Sequence, residues 1–122
     1  MAFQSGLTED VHQIKYIIVI KLEEIESYAK SVAAKFRPER IILFGSYADD
    51  SAGEDSDVDL LVIMPHEGKA SQQALSIRRN VAKSFPLDLV VQSPLEAERR
   101  IHAGDPFTID AFRRGRVLYA DH

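Results

Sequence analysis

The sequence predicts an α/β domain (α+β in some classification schemes), in which a small mixed sheet of about four strands is flanked by helices. Apolar residues recur at intervals of three and four in several segments, which is typical of amphipathic helices. Between these segments lie short apolar runs bounded by glycine and proline, which favour strands. This alternation over 122 residues indicates one layered unit.

The composition is that of a globular protein, with 45% hydrophobic and 28% charged residues. A net charge of −4 argues against binding to duplex nucleic acid but leaves room for a small triphosphate. The absence of cysteine excludes disulfides and thiolate metal sites. The longest apolar run, Tyr16 to Ile20, is far shorter than the ~20 residues of a membrane span, and no signal peptide is visible. We therefore expect a cytoplasmic protein.

The N-terminal segment predicts an amphipathic helix from Thr8 to Phe36, with Thr8 as its cap and Pro38 as its stop signal. The β-prone patch Tyr16–Ile20 marks a point where this helix could divide in two, and is where we look for a partner surface. We treat residues 1–122 as one domain, with a helical N-terminal extension over residues 1–36 and a catalytic core from about residue 37 to residue 122.

The remaining elements follow from apolar spacing and from cap residues. Ser93 is a helix cap that Glu96 completes as a capping box, with Pro94 at the first helical position. Gly115 is expected to close the last helix in a left-handed conformation. The predicted strands are Arg40–Phe44, Val58–Met64, Leu87–Gln92 and the edge strand Arg116–Tyr119; the predicted helices are a short turn within residues 47–56, Ser71–Phe85, a helix after Ser93, and Pro106–Arg114.

Asp57 and Asp59 are the first candidate site residues. Side chains two apart in a strand point to the same side, so these carboxylates can share one hard cation or hold two. A pair of solvated loop charges is the alternative interpretation. A calcium loop starting at Asp55 is excluded, because its sixth and twelfth positions are Leu60 and His66 instead of glycine and glutamate.

Two further features support a site for a metal-bound triphosphate. Gly45 lets the backbone approach a ligand closely, and Ser46 offers a hydroxyl and an amide at a predicted helix start, although a Gly-Ser pair alone is an ordinary turn. Asp88 interrupts the apolar run Leu87–Val91, where an ionised carboxylate is costly unless it is paired or binds metal. If its strand lies beside that of Asp57 and Asp59, three carboxylates converge.

These residues resemble the polymerase-β-like nucleotidyltransferase superfamily, and within it the minimal nucleotidyltransferases (MNT). The segment Ile41–Ala48 followed by Asp55–Val62 fits the Gly-Ser-x10-Asp-x-Asp signature of that superfamily. The resemblance implies transfer of a nucleoside monophosphate from a triphosphate, with ATP as the expected donor, to a hydroxyl. It also implies that Gly45 and Ser46 bind the triphosphate, while Asp57, Asp59 and Asp88 form the catalytic site and hold one or two Mg²⁺ ions.

The resemblance further implies a partner protein. Bare MNT domains commonly act as antitoxins by attaching AMP to a tyrosine of a helical HEPN ribonuclease, and we expect this chain to do so, alone or in a homo- or hetero-oligomer. A non-catalytic antitoxin and a small-molecule (aminoglycoside-type) nucleotidyltransferase are the alternatives. One departure bears on this choice: Asp49-Asp50 stands where many relatives carry Arg-Gly.

Other charged residues have simpler interpretations. The basic residues Lys69, Arg78, Arg79 and Lys83 could replace the missing phosphate contact but are more simply the solvated face of a helix. Arg99, Arg100, Arg113 and Arg114 are also interpreted as solvated helix charges. The four histidines show no metal-ligand spacing.

Overall fold

The computed structural model describes residues 22–53 and 56–121. The first helix, α1, occupies residues 22–36. The helix predicted from the sequence begins at Thr8, and its first part, which includes the patch Tyr16–Ile20, lies outside the described residues. The other elements are β1 (Arg40–Phe44), β2 (Val58–Ile63), α2 (Ala70–Asn80), β3 (Leu87–Gln92), α3 (Pro94–His102), α4 (Pro106–Arg114) and β4 (Arg116–Ala120).

The four strands form one mixed sheet in the order β3-β2-β1-β4. Strand β1 runs antiparallel to β2 and to β4, whereas β2 and β3 are parallel and are joined through α2. The predicted small mixed sheet flanked by helices is therefore confirmed, and β4 is the edge strand that its position predicted. Within the described ranges, no helix is both long enough and apolar enough to cross a membrane.

Helices cover both faces of the sheet, so the central strands carry apolar residues in both directions. On one face α1 and α2 pack on Leu43, Leu60 and Leu89; we call it the α1/α2 face. On the other, the α3/α4 face, Ala97 and Ala111 pack on a smaller cluster around Leu61. This three-layer arrangement explains why β2 from Leu60 to Ile63 is buried throughout.

Helix α1 ends where proline chemistry predicts. Arg37 follows the helix at φ +50, and its amide donates to the Ala33 carbonyl at 3.0 Å. Pro38 disfavours the helical conformation for the residue before it, so the chain turns there and enters β1.

Helix α2 is shorter than predicted. It begins at Ala70 and ends at Asn80, whereas the spacing predicted a helix through Phe85. Val81 is already extended at φ −127 and ψ 110. Val81 and Phe85 are nonetheless buried, because the irregular segment before Pro86 lies against the α1/α2 face. Their apolar spacing therefore came from burial and not from helical structure.

Three expectations about turns need correction. Gly115 is not left-handed but extended at φ −69 and ψ 159. Glycine is required there for space, since an added Cβ would stand 2.2 Å from the Ala111 carbonyl oxygen and 2.4 Å from Ile42 Cγ2. The Ser93 hydroxyl accepts the Glu96 amide at 3.1 Å, as predicted. The Glu96 carboxylate, however, accepts hydrogen bonds from Arg99 and Arg100, so no reciprocal capping bond is found.

The short helical turn that was expected within residues 47–56 spans Gly45–Tyr47 instead.

Candidate active site

The Gly-Ser turn follows directly on β1. Gly45 adopts φ +73, which a residue with a Cβ rarely does, and it starts a single 3-10 turn that Ala48 closes with a 3.0 Å hydrogen bond to the Gly45 carbonyl. A Cβ added to Gly45 would lie 2.3 Å from Oδ2 of Asp59. Glycine at this position is therefore needed both for the turn and for the close approach of an acidic side chain.

The sheet register places Asp59 between the other site elements. In β1 its partner is Phe44, the residue before Gly45, and in β3 its partner is Asp88. Neighbouring strands lie about 4.8 Å apart, and register partners point to the same face. The parallel pairing of β2 with β3 thus brings together the two carboxylates that the sequence analysis could only join conditionally.

The acidic residues lie at an open end of the α3/α4 face. Asp59 and Leu61 share this face by strand alternation, but α3 and α4 cover the cluster around Leu61 and leave Asp59 half-buried. Asp57, just before β2, and Asp88, near the start of the edge strand β3, are exposed. Val58 and Leu60 are buried on the opposite face, as the alternation predicted.

The carboxylate of Asp59 lies within electrostatic reach of the other two. The pKa of Asp59 is raised above its ordinary value, chiefly because burial removes water from the charged form, and then because Asp88 and Asp57 add negative charge nearby. No cation within the described residues offsets this charge enough to reverse the shift. The site is therefore a place where a bound cation lowers the free energy of the ionised form.

The donor set suits Mg²⁺ in its chemistry but is not a complete cage. Among the described residues, no group of three or more histidine, cysteine, aspartate or glutamate side chains is arranged to hold a metal ion. Mg²⁺ in phosphoryl-transfer sites is bound by one or two carboxylates together with oxygens of the substrate phosphates. The raised pKa of Asp59 and its exposed neighbours Asp57 and Asp88 fit such a shared site.

The loop after the Gly-Ser turn carries the acidic pair Asp49-Asp50. Asp49 accepts hydrogen bonds from the hydroxyl and the amide of Ser51, and these bonds, with a smaller contribution from Arg114, lower its pKa. Asp50 adopts φ +63, a conformation natural to glycine. The backbone thus keeps the shape that a glycine would give, although the side chain is acidic.

Arg78, one of the basic residues considered as a substitute phosphate contact, and Arg114, interpreted as a solvated helix charge, are placed differently from each other. Arg78 is not simply solvated, because Nη2 donates to the Leu87 carbonyl at 2.6 Å and ties α2 to the start of β3. Arg114, interpreted from sequence as a solvated charge, is indeed exposed and pairs with Asp110 at 3.3 Å. Its effect on the pKa of Asp49 shows that it lies toward the loop after the Gly-Ser turn.

One side chain near the site was missed by sequence reasoning. The ring of Phe107, near the start of α4, lies edge-to-face on the ring of Phe44, with centroids 5.1 Å apart and planes at 89°. Its helical position is visible in the sequence, but no local signal links it to Phe44. Only the packing of α4 across the sheet places it there.

Comparison with known proteins agrees with this geometry. The chain belongs to the nucleotidyltransferase domain family, whose model matches residues 25–118. It also shares its fold with a candidate nucleotidyltransferase from Sulfolobus solfataricus, solved by crystallography at 1.40 Å resolution. That match has a TM-score of 0.61 and 18% identity and covers 84% of this chain and 83% of the other. Comparison with curated proteins gives no match.

The family match spans both halves of the candidate site, from the Gly45-Ser46 turn through Asp57 and Asp59 to Asp88. The chain is thus a transferase-family domain, and nucleotidyl transfer is the general chemistry that this membership indicates.

Proposed function

We propose that this domain transfers AMP from ATP to a hydroxyl of a partner protein in a Mg²⁺-dependent reaction. The observation that carries the proposal is the register that places Asp59 beside Asp88 while its carboxylate lies against Gly45. We further propose that the acceptor is a tyrosine of a HEPN-type toxin and that the domain acts as its antitoxin. This finer assignment rests on the resemblance to MNT proteins.

Each site residue has a role in this proposal. Gly45 and Ser46 bind the triphosphate, and Asp57, Asp59 and Asp88 would hold one or two Mg²⁺ ions jointly with oxygens of that triphosphate. The bound metal supplies charge neutralisation and alignment for phosphoryl transfer. Asp88, exposed at the edge of the sheet, accepts the proton of the attacking hydroxyl. The hydroxyl oxygen forms a bond to the α-phosphorus, the bond from that phosphorus to the bridging oxygen breaks, and pyrophosphate leaves.

The shape of the site favours a macromolecular acceptor over a small one. Small ligands are usually bound in concave pockets that enclose most of their surface. Here Asp57 and Asp88 are exposed at the open end of the sheet. A cavity of about 420 Å³ exists, but it lies at the opposite end of the same face, next to Arg40, Ile63 and Phe112. An acceptor presented on another protein can reach the open end directly.

The test is incubation of the protein with labelled ATP, Mg²⁺ and a HEPN partner. We expect label on the partner, and its loss with Asp57→Asn, with Asp59→Asn or with a chelator. Asp121→Asn, which removes an exposed acid at the far end of the sheet, is the matched control and should label the partner as much as the wild type does. Absence of transfer by the wild type, or equal transfer by the Asp57→Asn/Asp59→Asn double variant, refutes the proposal.

A second candidate function is neutralisation of the partner by binding alone. The observation that favours it is Asp49-Asp50, which puts acidic side chains on the loop next to the Gly-Ser turn. Such charges repel a triphosphate and weaken its binding. In that case the Asp57→Asn/Asp59→Asn variant protects cells from the toxin as well as the wild type does. A growth assay that compares the wild type with this double variant decides between the two functions.

A further inference from the structure

Phe107 is an exposed aromatic side chain beside the acidic site. It retains 39% of its surface exposed, although it contacts Phe44. Phe44 is in register with Asp59, and both point to the α3/α4 face by strand alternation. The Phe44–Phe107 pair is therefore an apolar surface directly next to a half-buried carboxylate.

The orientation of α4 explains why this ring remains accessible. Residues four apart share one side of a helix, so Phe107 and Ala111 lie on the same side of α4. Ala111 is buried against the sheet with Ile42, which anchors the helix. Thr108 and Phe112 lie on the side toward Gln92 and Arg40, away from the acids. Phe107 is thus held over the sheet end that the acids occupy.

The position along the chain links this surface to the phosphate site. Phe44 immediately precedes Gly45, and Gly45 lies against the carboxylate of Asp59. In a nucleotide whose phosphates are bound by Gly45 and Ser46, the ribose keeps the base within a short distance of those phosphates. The base is planar and aromatic, and phenyl rings bind such rings by offset stacking or edge contacts.

We propose that the Phe44–Phe107 pair binds the nucleobase of the donor triphosphate, with Phe107 as the contacting ring. This inference rests on the proposed function for the location of the phosphates. It makes Phe107 a binding residue that contacts the base and raises affinity for a nucleotide without touching the phosphates. It also predicts that bases with a larger aromatic surface, the purines, bind more tightly than pyrimidines.

The chain has no tryptophan, which provides a direct probe. Phe107→Trp introduces a single indole at the proposed contact. We expect its fluorescence to be quenched when ATP is added with Mg²⁺, and to be unchanged with inorganic tripolyphosphate. Leu95→Trp, on an exposed position that follows the opposite end of β3, is the matched control and should respond to neither compound. Equal responses to ATP and tripolyphosphate at position 107, or none to either, overturn the proposal.

A second measurement gives the size of the effect. Phe107→Leu keeps an apolar side chain but removes the ring, so ATP affinity measured by calorimetry should fall about fivefold. Tripolyphosphate affinity should stay the same. If ATP affinity is unchanged and only the KM for the acceptor rises, the pair binds the acceptor instead, and the assignment to the nucleobase is wrong.

These outcomes are distinguishable from failure of the proposed function. Both binding measurements need only nucleotide and Mg²⁺, so they remain decisive even if no label reaches a partner. Conversely, if Asp57→Asn abolishes transfer while Phe107→Leu leaves ATP binding intact, the proposed function stands and this inference alone fails.

Discussion

Replacing Gly45 with alanine tests the contact between the glycine turn and the acidic site. At φ +73 a residue with a Cβ is strained by about 1–2 kcal/mol, which lowers the Tm of a 122-residue domain by about 4–8 °C. The new methyl carbon would also stand 2.3 Å from Asp59 Oδ2, so this carboxylate must turn away. Moving the end of a side chain changes the free energy of folding little, but a displacement of about 1 Å at a reacting centre can lower the rate about 100-fold.

We therefore expect Gly45→Ala to lose about 100-fold in nucleotidyl transfer while it remains folded at room temperature. Labelled-ATP transfer and thermal melts measure the two effects separately. Gly104→Ala is the matched control, because it has φ +80 but no described atom within 4 Å of the added Cβ. It should show a similar loss of Tm and full activity. If Gly45→Ala is as active as this control, the close approach of Asp59 has no catalytic consequence and the reasoning is wrong.

Burial and neighbouring charges raise the pKa of Asp59, so its contribution to stability is present below about pH 3.9 and is lost as the pH rises through the raised value. Without metal, Asp59→Asn should accordingly have a higher Tm than the wild type at pH 7 but not at pH 3. Mg²⁺ should reduce this difference in Tm at pH 7. An equal increase in Tm at both pH values contradicts the prediction. Asp50→Gly relieves a residue at φ +63 and should stabilise by about 1 kcal/mol in urea denaturation, whereas Asp49→Gly should not. The fully buried Thr108 accepts a hydrogen bond from Gln92 Nε2 at 3.2 Å and donates to Asp105 at 2.6 Å. Thr108→Val removes both bonds and should lower the free energy of unfolding by about 2 kcal/mol in urea denaturation. Thr108→Ser keeps the hydroxyl and should lose much less.

Much of the local structure could be predicted because it depends on neighbours in the chain. The bounds of β1 and β3 are as predicted, since short apolar runs end at Gly45 and begin after Pro86. The Ser93 cap is also confirmed. Errors arose where burial imitates helical spacing, as at Val81, or where neighbouring side chains on the same helix compete for a partner, as Arg99 and Arg100 do for Glu96. The role of Gly115 depends on its closeness to the Ala111 carbonyl and to Ile42, and the contact with Ile42 is not visible in any local pattern.

The roles of the site residues stay predictions, but their placement can be compared with the sequence. Alternation alone put Asp57 and Asp59 on the side opposite the buried Val58 and Leu60. The convergence with Asp88 was conditional, because it requires β3 to pair with β2, and a parallel pairing depends on how α2 packs. Phe107 had no signal at all, since its contact with Phe44 arises only when α4 crosses the sheet.

The sequence by itself determined the chemistry available to this protein: a Gly-Ser turn, an Asp-x-Asp pair and a strand aspartate, in an order that indicates its family. Residue type and spacing of two or three positions act through local backbone geometry, which is why they can be interpreted in one dimension. Only the tertiary structure decided that Asp59 lies between Gly45 and Asp88, and that one end of the sheet stays open beside Phe107. Those relations depend on strand order and helix packing, because contacts between residues distant in the chain form only when the whole core closes.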